Sequence, residues 1–337
     1  MLNIIDALPA GFFATTAGDL HSLLSGPTLI HLPGRRSEPL FVSILLHGNE
    51  DTGLKAVQKV LSRYRGKPLP RALSLFVGNV EAAREGVRRL DGQPDFNRIW
   101  PGCESQGSPE ERMMAQVVEA MRLRNVFASI DIHNNTGLNP HYACINRLDQ
   151  NFFHLARLFS RITVYFVLPV GVQAMAFAAL CPAVTVECGK AGAGASDDHA
   201  ADFVDAALHL DHFPIHPVAR HDLDLYHTVA LVKVPETIGF TFGQGEADIV
   251  FVDDLDHFNF TELPAGTSFG QVAPDGSLPL QAYNDEGRDV AANYFEIRDG
   301  ELLTRQPVMP AMLTRNERII RQDCLCYLME RLPYEGV

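Results

Sequence analysis

Leu40-Phe41-Val42-Ser43-Ile44-Leu45-Leu46-His47-Gly48-Asn49-Glu50-Asp51-Thr52-Gly53 passes from an almost wholly apolar run into a short polar turn. A strand with one face in water alternates apolar and polar residues, whereas a strand covered on both faces does not. Residues 40–46 therefore read as an inner strand of an α/β sheet. The turn leads into 51–65, where Leu54, Val57, Leu61 and Tyr64 recur at helical spacing and Gly66 is a natural stop. A buried strand, a tight polar turn and an amphipathic helix form half of a βαβ unit, and the rest of the chain can be read outward from it.

Apolar or β-rich runs at 27–32, 72–77, 126–132, 142–145, 163–168 and 183–186 predict further strands. Helices are predicted over 108–124, 149–160 and 196–212. The first of these opens on Ser108-Pro109-Glu110-Glu111, in which Ser can cap, Pro suits the first helical position and Glu111 completes a capping box. Strands separated by helical stretches imply a mostly parallel sheet covered on both faces. Beyond about residue 217 the pattern becomes short β-like runs, such as 228–234 and 249–252, broken by Gly, Pro and Asp. This predicts a smaller, β-rich second domain.

Charge supports the same division. The chain of 337 residues carries 28 Lys+Arg and 41 Asp+Glu, a net charge of −13. Residues 1–220 hold 20 basic and 21 acidic residues, and residues 221–337 hold 8 and 20. A first domain over 1–220 and a β-rich domain over 221–337 follow as expectations. No basic cluster suits a phosphate backbone or an anionic lipid surface, so neither nucleic acid nor membrane is expected as a partner. No apolar run reaches the about 18 residues of a spanning helix. Cys103, Cys144, Cys181, Cys188, Cys324 and Cys326 form no Cys-x-x-Cys pair, and 1–34 contain no Lys or Arg to open a secretory signal. Free thiols in a reducing cytoplasm are the expectation.

Four segments could carry chemistry. His47 and Glu50 flank the strand-to-helix turn, three residues apart, and can converge on one metal. Alone, the pair is a weak signal, and a capping Glu beside an ordinary His is the commoner reading. In Ser129-Ile130-Asp131-Ile132-His133-Asn134, a second apolar strand ends in Asp-Ile-His. Ligands of open α/β sheets collect outside the carboxyl ends of the strands. His47, Glu50 and His133 would then make two imidazoles and one carboxylate, a common catalytic zinc set with its fourth position open. Asp131, on the same strand face as His133, can orient it or belong to a structural polar network. In Val184-Thr185-Val186-Glu187-Cys188-Gly189-Lys190, Glu187 follows an apolar run. It could take a proton from a water and return it to a leaving amine, or simply lie at the surface. In Asp95-Phe96-Asn97-Arg98-Ile99-Trp100, Asn97 and Arg98 offer an amide and a guanidinium fork suited to a carboxylate. Arg88 and Arg89 precede them and could polarise a carbonyl or be surface residues. No Gly-x-Ser-x-Gly elbow and no P-loop occurs.

His-Gly-Asn-Glu-x-Thr-Gly, Phe-Asn-Arg-Ile, Asp-Ile-His-Asn and Glu-x-Gly-Lys, in this order over 47–190, resemble the succinylglutamate desuccinylase/aspartoacylase family of the zinc carboxypeptidase clan. The resemblance implies a three-layer α/β/α carboxypeptidase-like domain with a mixed, mostly parallel sheet, followed by a β-rich domain. It implies one Zn2+ held by His47, Glu50 and His133, with Glu187 as general base and acid. Asn97 and Arg98 match the pair that grips a substrate carboxylate. Arg89 is the nearest match to an arginine beside the reacting carbonyl, but the stretch 90–94 is one residue longer than the family's spacing, which leaves Arg88 open. The implied activity is deacylation of an N-acyl amino acid, a small carboxylate-bearing amide. The alternatives are a carboxypeptidase acting on a peptide or cell-wall fragment, and a metal- or carboxylate-binding protein without turnover. A homo-oligomer is compatible with the sequence.

Overall fold

The computed structural model describes residues 2–104, 106–273 and 277–335. Backbone contacts divide these residues into two units. One takes in the chain up to Asn134, then His141–Leu225 and the stretch from Tyr334, and the other takes in Asn135–Pro140 and Tyr226–Pro333.

The first unit is built on a mixed, mostly parallel sheet. Its strands are β1 (Asn3–Ile5), β2 (Thr28–Leu32), β3 (Gly34–Ile44), β4 (Leu69–Val77), β5 (Ala128–Asn135), β6 (Tyr142–Ile145), β7 (Ile162–Tyr165) and β8 (Ala183–Lys190). They lie in the order β1-β2-β4-β3-β5-β8-β6-β7. β1 and β2, β3 and β4, β3 and β5, and β6 and β7 pair parallel, while β2 with β4 and β6 with β8 pair antiparallel. The apolar half of β3, Leu40–Ile44, is fully buried, as its composition predicts.

The helices are α1 (Thr52–Arg63), α2 (Val80–Arg84), α3 (Pro109–Leu123), α4 (Gln150–Phe159), α5 (Gln173–Phe177) and α6 (Gly194–His209). Ser108 caps α3 as expected, its Oγ accepting from the Glu111 amide at 3.1 Å. The two faces of β5 show how the layers form. Ser129, Asp131 and His133 alternate with Ile130, Ile132 and Asn134. Gln173 of α5 donates to Ser129 Oγ, and Phe177 of α5 stacks at 4.3 Å on Phe41, the β3 neighbour of Ser129. α5 therefore covers the odd-numbered face. On the other face Gly53 of α1 packs so tightly that a Cβ there would lie 2.7 Å from Ile44 Cγ2 and 3.3 Å from Ile132 Cβ. Ion pairs fasten α1 to α6 on that side, with Lys59 to Asp198 at 2.8 Å and Arg63 to Asp202 at 2.9 Å. The result is the α/β/α arrangement that the strand and helix pattern predicts.

Several strand ends differ from the sequence reading: β5 runs on to Asn135, β7 stops at Tyr165, and the end of β8 bears on the site. β8 continues through Cys188-Gly189-Lys190 instead of stopping at Val186, so Glu187 lies inside the strand. The Gly at 189 takes a φ of 69°, a backbone conformation that favours glycine.

The second unit is β-rich. β9 (Asp224–Lys233), β13 (Gln281–Tyr283), β16 (Met309–Ala311) and β17 (Cys326–Arg331) form the antiparallel order β13-β9-β17-β16. A separate sheet runs β10-β11-β12-β15-β14, from β10 (Phe240–Phe242), β11 (Ile249–Phe251), β12 (Ser268–Val272), β14 (Phe295–Arg298) and β15 (Glu301–Thr304). Phe251, Phe269, Phe295, Leu302 and Leu328 centre its core. Residues 135–140 join this unit through Thr136 to Thr314 (2.8 Å) and the Met312 amide donating to Asn139 Oδ1 (3.0 Å).

Candidate metal centre

The chain reaches His47 through an unusual bend. Leu45, just past β3, takes a φ of 54°. Gly48 does not need a left-handed backbone, contrary to the simplest reading of a glycine in such a turn. It is required because its backbone passes against α2, where a Cβ would lie 2.2 Å from the Ala82 carbonyl carbon. The Gly48 amide donates to the Arg88 carbonyl at 3.1 Å, and the Glu50 amide to the His47 carbonyl at 3.2 Å. The turn places His47 and Glu50 side by side just before α1.

Three buried side chains converge there. His47 is 3 %, Glu50 6 % and His133 3 % exposed. One ligand atom from each lies within 4.8 Å of the others. His47 Nδ1 is 2.8 Å from Glu50 Oε1, and His133 Nδ1 is 2.7 Å from Glu50 Oε2. The opposite nitrogens face carboxylates. His47 Nε2 donates to Asp95 Oδ1 at 3.0 Å, and His133 Nε2 donates to Asp131 Oδ2 at 2.7 Å. Asp131 is in turn held by Ser43 Oγ at 2.7 Å. A carboxylate of Asp95 or Asp131 thus stands at each Nε2, and each Nδ1 turns to Glu50.

The donor chemistry fits zinc. Two imidazole nitrogens and one carboxylate are a catalytic zinc set, and their outer nitrogens carry the carboxylate partners typical of metal-bound histidines. The electrostatics agree. Burial pushes the Glu50 carboxyl up, but the two imidazoles outweigh it and hold Glu50 well below the usual carboxylate range. Burial disfavours charge on His133, yet Asp131 and Glu50 outweigh it and raise its pKa well above the ordinary value. The pocket is thus arranged to hold positive charge among buried carboxylates.

Arg88 and Arg89 diverge. Arg88 is 7 % exposed and donates to Asp95 Oδ2 from Nε at 3.2 Å and Nη2 at 3.0 Å, with Nη1 4.0 Å from Glu50 Oε1. Burial raises the Asp95 pKa, but Arg88 and then His47 bring it well below the usual range. Arg89 instead donates to the Gln93 carbonyl at 2.9 Å. Asn97 is buried with its Nδ2 3.2 Å from His133 Nε2, and its Oδ1 accepts from the Gln173 amide at 2.9 Å. Arg98, half-buried, donates to the Asn97 carbonyl at 2.8 Å.

Glu187 comes to the same face by strand register. The Ser129 amide donates to the Pro182 carbonyl at 2.9 Å, and Asn134 Nδ2 reaches the Gly189 carbonyl at 2.9 Å. β5 and β8 therefore run in the same direction with 129 opposite 183, and continuing that register sets 133 opposite 187. Glu187 is 8 % exposed. Burial first, and then the Glu187 charge, pushes the thiols of Cys144 and Cys188 well above their ordinary pKa, so neither is poised as a nucleophile.

Sequence reasoning missed Asp95 as the partner of His47 and Gln173 as the group that orients Asn97. Asp95 lies 48 residues from His47 and Gln173 lies 76 from Asn97, so no local spacing rule links them. The one available signal was that Asp95 stands two residues before Asn97 in an otherwise loop-like segment.

The first unit thus carries a buried His47-Glu50-His133 group that could hold a metal ion. Residues 39–211, just over half of the chain, match the succinylglutamate desuccinylase/aspartoacylase catalytic domain, and the chain belongs to that family. This membership carries an amide-cleaving hydrolase of the desuccinylase/aspartoacylase type. No curated protein matches the chain in sequence. Among solved structures, the chain is similar to the succinylglutamate desuccinylase of Chromobacterium violaceum, at 17 % identity and TM-score 0.57, covering 90 % of this chain and 87 % of that one. It is similar to murine aminoacylase 3 at 14 % identity and TM-score 0.57, covering 88 % and 96 %. It is also similar to the ectoine utilization protein EutE (DoeB) of Ruegeria pomeroyi, at 15 % identity and TM-score 0.54, covering 89 % and 88 %. At such identities these likenesses speak to the fold.

Proposed function

We propose that this chain is a zinc-dependent deacylase that hydrolyses the amide bond of a small N-acyl amino acid. The observation that carries the reading is the donor set itself: Nδ1 of His47 and of His133 turned to Glu50, with each Nε2 on a carboxylate. Zinc in such a set lowers the pKa of a water and polarises a carbonyl oxygen. His47, Glu50 and His133 would hold it.

The remaining steps belong to the protein. Glu187, beside His133, takes a proton from the attacking water and delivers it to the leaving amine nitrogen. Asn97 and Arg98 hold a substrate carboxylate, and the half-buried guanidinium of Arg98 supports that role. Of the two arginines weighed for the carbonyl, geometry favours Arg88, whose Nη1 faces Glu50. Free thiols at all six cysteines suit a reducing compartment, in keeping with a cytoplasmic enzyme. Among the described residues, no helix is long and apolar enough to cross a membrane.

A hydrolysis screen of the zinc-loaded protein tests the reading. N-acyl amino acids are expected to be cleaved and short peptides left intact, with activity lost to a chelator and restored by zinc. Cleavage of peptides alone would favour the carboxypeptidase reading, and binding without turnover would sink both.

The two arginines make a separate prediction. Arg88→Ala strands Asp95 in a buried position and is expected to cost about 3–5 kcal/mol of stability, the range for breaking a buried pair. Arg89→Ala removes one hydrogen bond at a part-buried position and is expected to cost about 1 kcal/mol. Urea denaturation of the two variants checks the contrast, and equal losses would contradict it.

A further inference from the structure

We propose that Asn134 is a positioning residue for Glu187, acting together with Thr52 and Asp197 from the face of the sheet opposite His133. The inference rests on the general-base role of Glu187 proposed above.

Asn134 is 5 %, Thr52 0 % and Asp197 6 % exposed. Asn134 Oδ1 accepts from the Thr52 amide at 3.3 Å. Its Nδ2 donates to Thr52 Oγ1 at 3.1 Å and to the Gly189 carbonyl at 2.9 Å. Thr52 Oγ1 in turn donates a hydrogen bond to Asp197 Oδ1 at 3.0 Å. The backbone amide of Asn134 donates to Glu50 Oε2 at 3.2 Å. One residue thus ties the first turn of α1, the first turn of α6, the end of β8 and a metal ligand.

The directions of these bonds are fixed. A backbone amide can only donate, and the Gly189 carbonyl can only accept. The Asn134 amide therefore has one orientation, and no isosteric group reproduces it. Asp in its place would set a carboxylate oxygen against the Gly189 carbonyl.

The side chain acts on β8 more than on the metal. Glu50 is held by two imidazoles and by a backbone amide that any residue at 134 supplies. His47 and His133 are oriented by Asp95 and Asp131. Gly189, two residues beyond Glu187, has a φ of 69°, and there the chain leaves extended geometry. The Asn134 amide pins that departure point, and with it the register of Glu187 against His133. A displacement of about 1 Å at a reacting group can cost on the order of 100-fold in rate.

The test uses the full-length zinc-loaded protein and the best N-acyl amino acid from the screen. Asn134→Asp and Thr52→Val are expected to lower kcat by about 10–100-fold with KM, zinc content and zinc affinity essentially unchanged. The acid limb of kcat/KM is expected to move, and Thr52→Ser to restore it. In a Glu187→Gln background, Asn134→Asp is expected to add no further loss. Unchanged kcat in Thr52→Val, a loss of zinc in step with activity, or full additivity with Glu187→Gln would overturn the proposal. Full activity of Glu187→Gln alone would instead overturn the general-base reading beneath it.

Discussion

Glu187→Gln is expected to lower kcat by about 10²–10⁴-fold, the usual contribution of a positioned general acid–base group. This corresponds to about 3–5 kcal/mol of transition-state stabilisation at 1.36 kcal/mol per tenfold. The amide has nearly the shape of the carboxylate, so packing within β8 is retained, but it cannot take a proton from water. Zinc content should therefore stay at the level of the unaltered protein, because Glu187 is outside the set of converging donors. Metal analysis beside steady-state kinetics separates the two effects. Loss of zinc together with activity would place Glu187 among the ligands, and retention of activity would remove it from the mechanism.

The second large effect is expected at His133. His133→Ala deletes one of the three donors and leaves Glu50 without its His133 partner in a buried pocket. Zinc binding and activity should fall together, and activity should return only at zinc concentrations far above those that saturate the unaltered protein. Asp131→Asn provides the graded comparison. It leaves the ligand in place and exchanges the charged acceptor of His133 Nε2 for an amide. Loss of such an outer partner typically costs about 10–100-fold in metal affinity or activity. Isothermal titration with zinc should rank unaltered protein, Asp131→Asn and His133→Ala in that order. A His133→Ala variant that binds zinc as tightly as the unaltered protein would contradict the ligand assignment.

These outcomes depend on groups that were unequally legible in the sequence. The apolar run of 40–46 announced a buried strand because burial on both faces leaves no room for polar alternation. His47 and Glu50 were readable as a pair because a tight turn bounds how far apart they can lie. Asp131 and His133 were readable because alternate residues of a strand share a face.

What could not be read depends on tertiary contact. The partnership of Asp95 with His47 joins two segments that only the closed fold brings together. The constraint on Gly48 comes from the backbone at Ala82 and Ala83, which no local pattern encodes. The sequence favoured Arg89 over Arg88, but in a loop a single residue step decides which side chain turns inward, and Arg88 is the buried one. Nothing local tied residues 135–140 to the second unit. Asn134 was visible only as the fourth residue of a motif. Its role emerges once β5, β8, α1 and α6 meet around its amide.

The account stands or falls on where zinc binds. Anomalous diffraction at the zinc absorption edge, from crystals grown with zinc, locates the ion independently of any assay. A single peak bonded to Nδ1 of His47, Nδ1 of His133 and the Glu50 carboxylate is predicted. A peak on Nε2 of either histidine, a peak elsewhere in the chain, or no peak at all would contradict it.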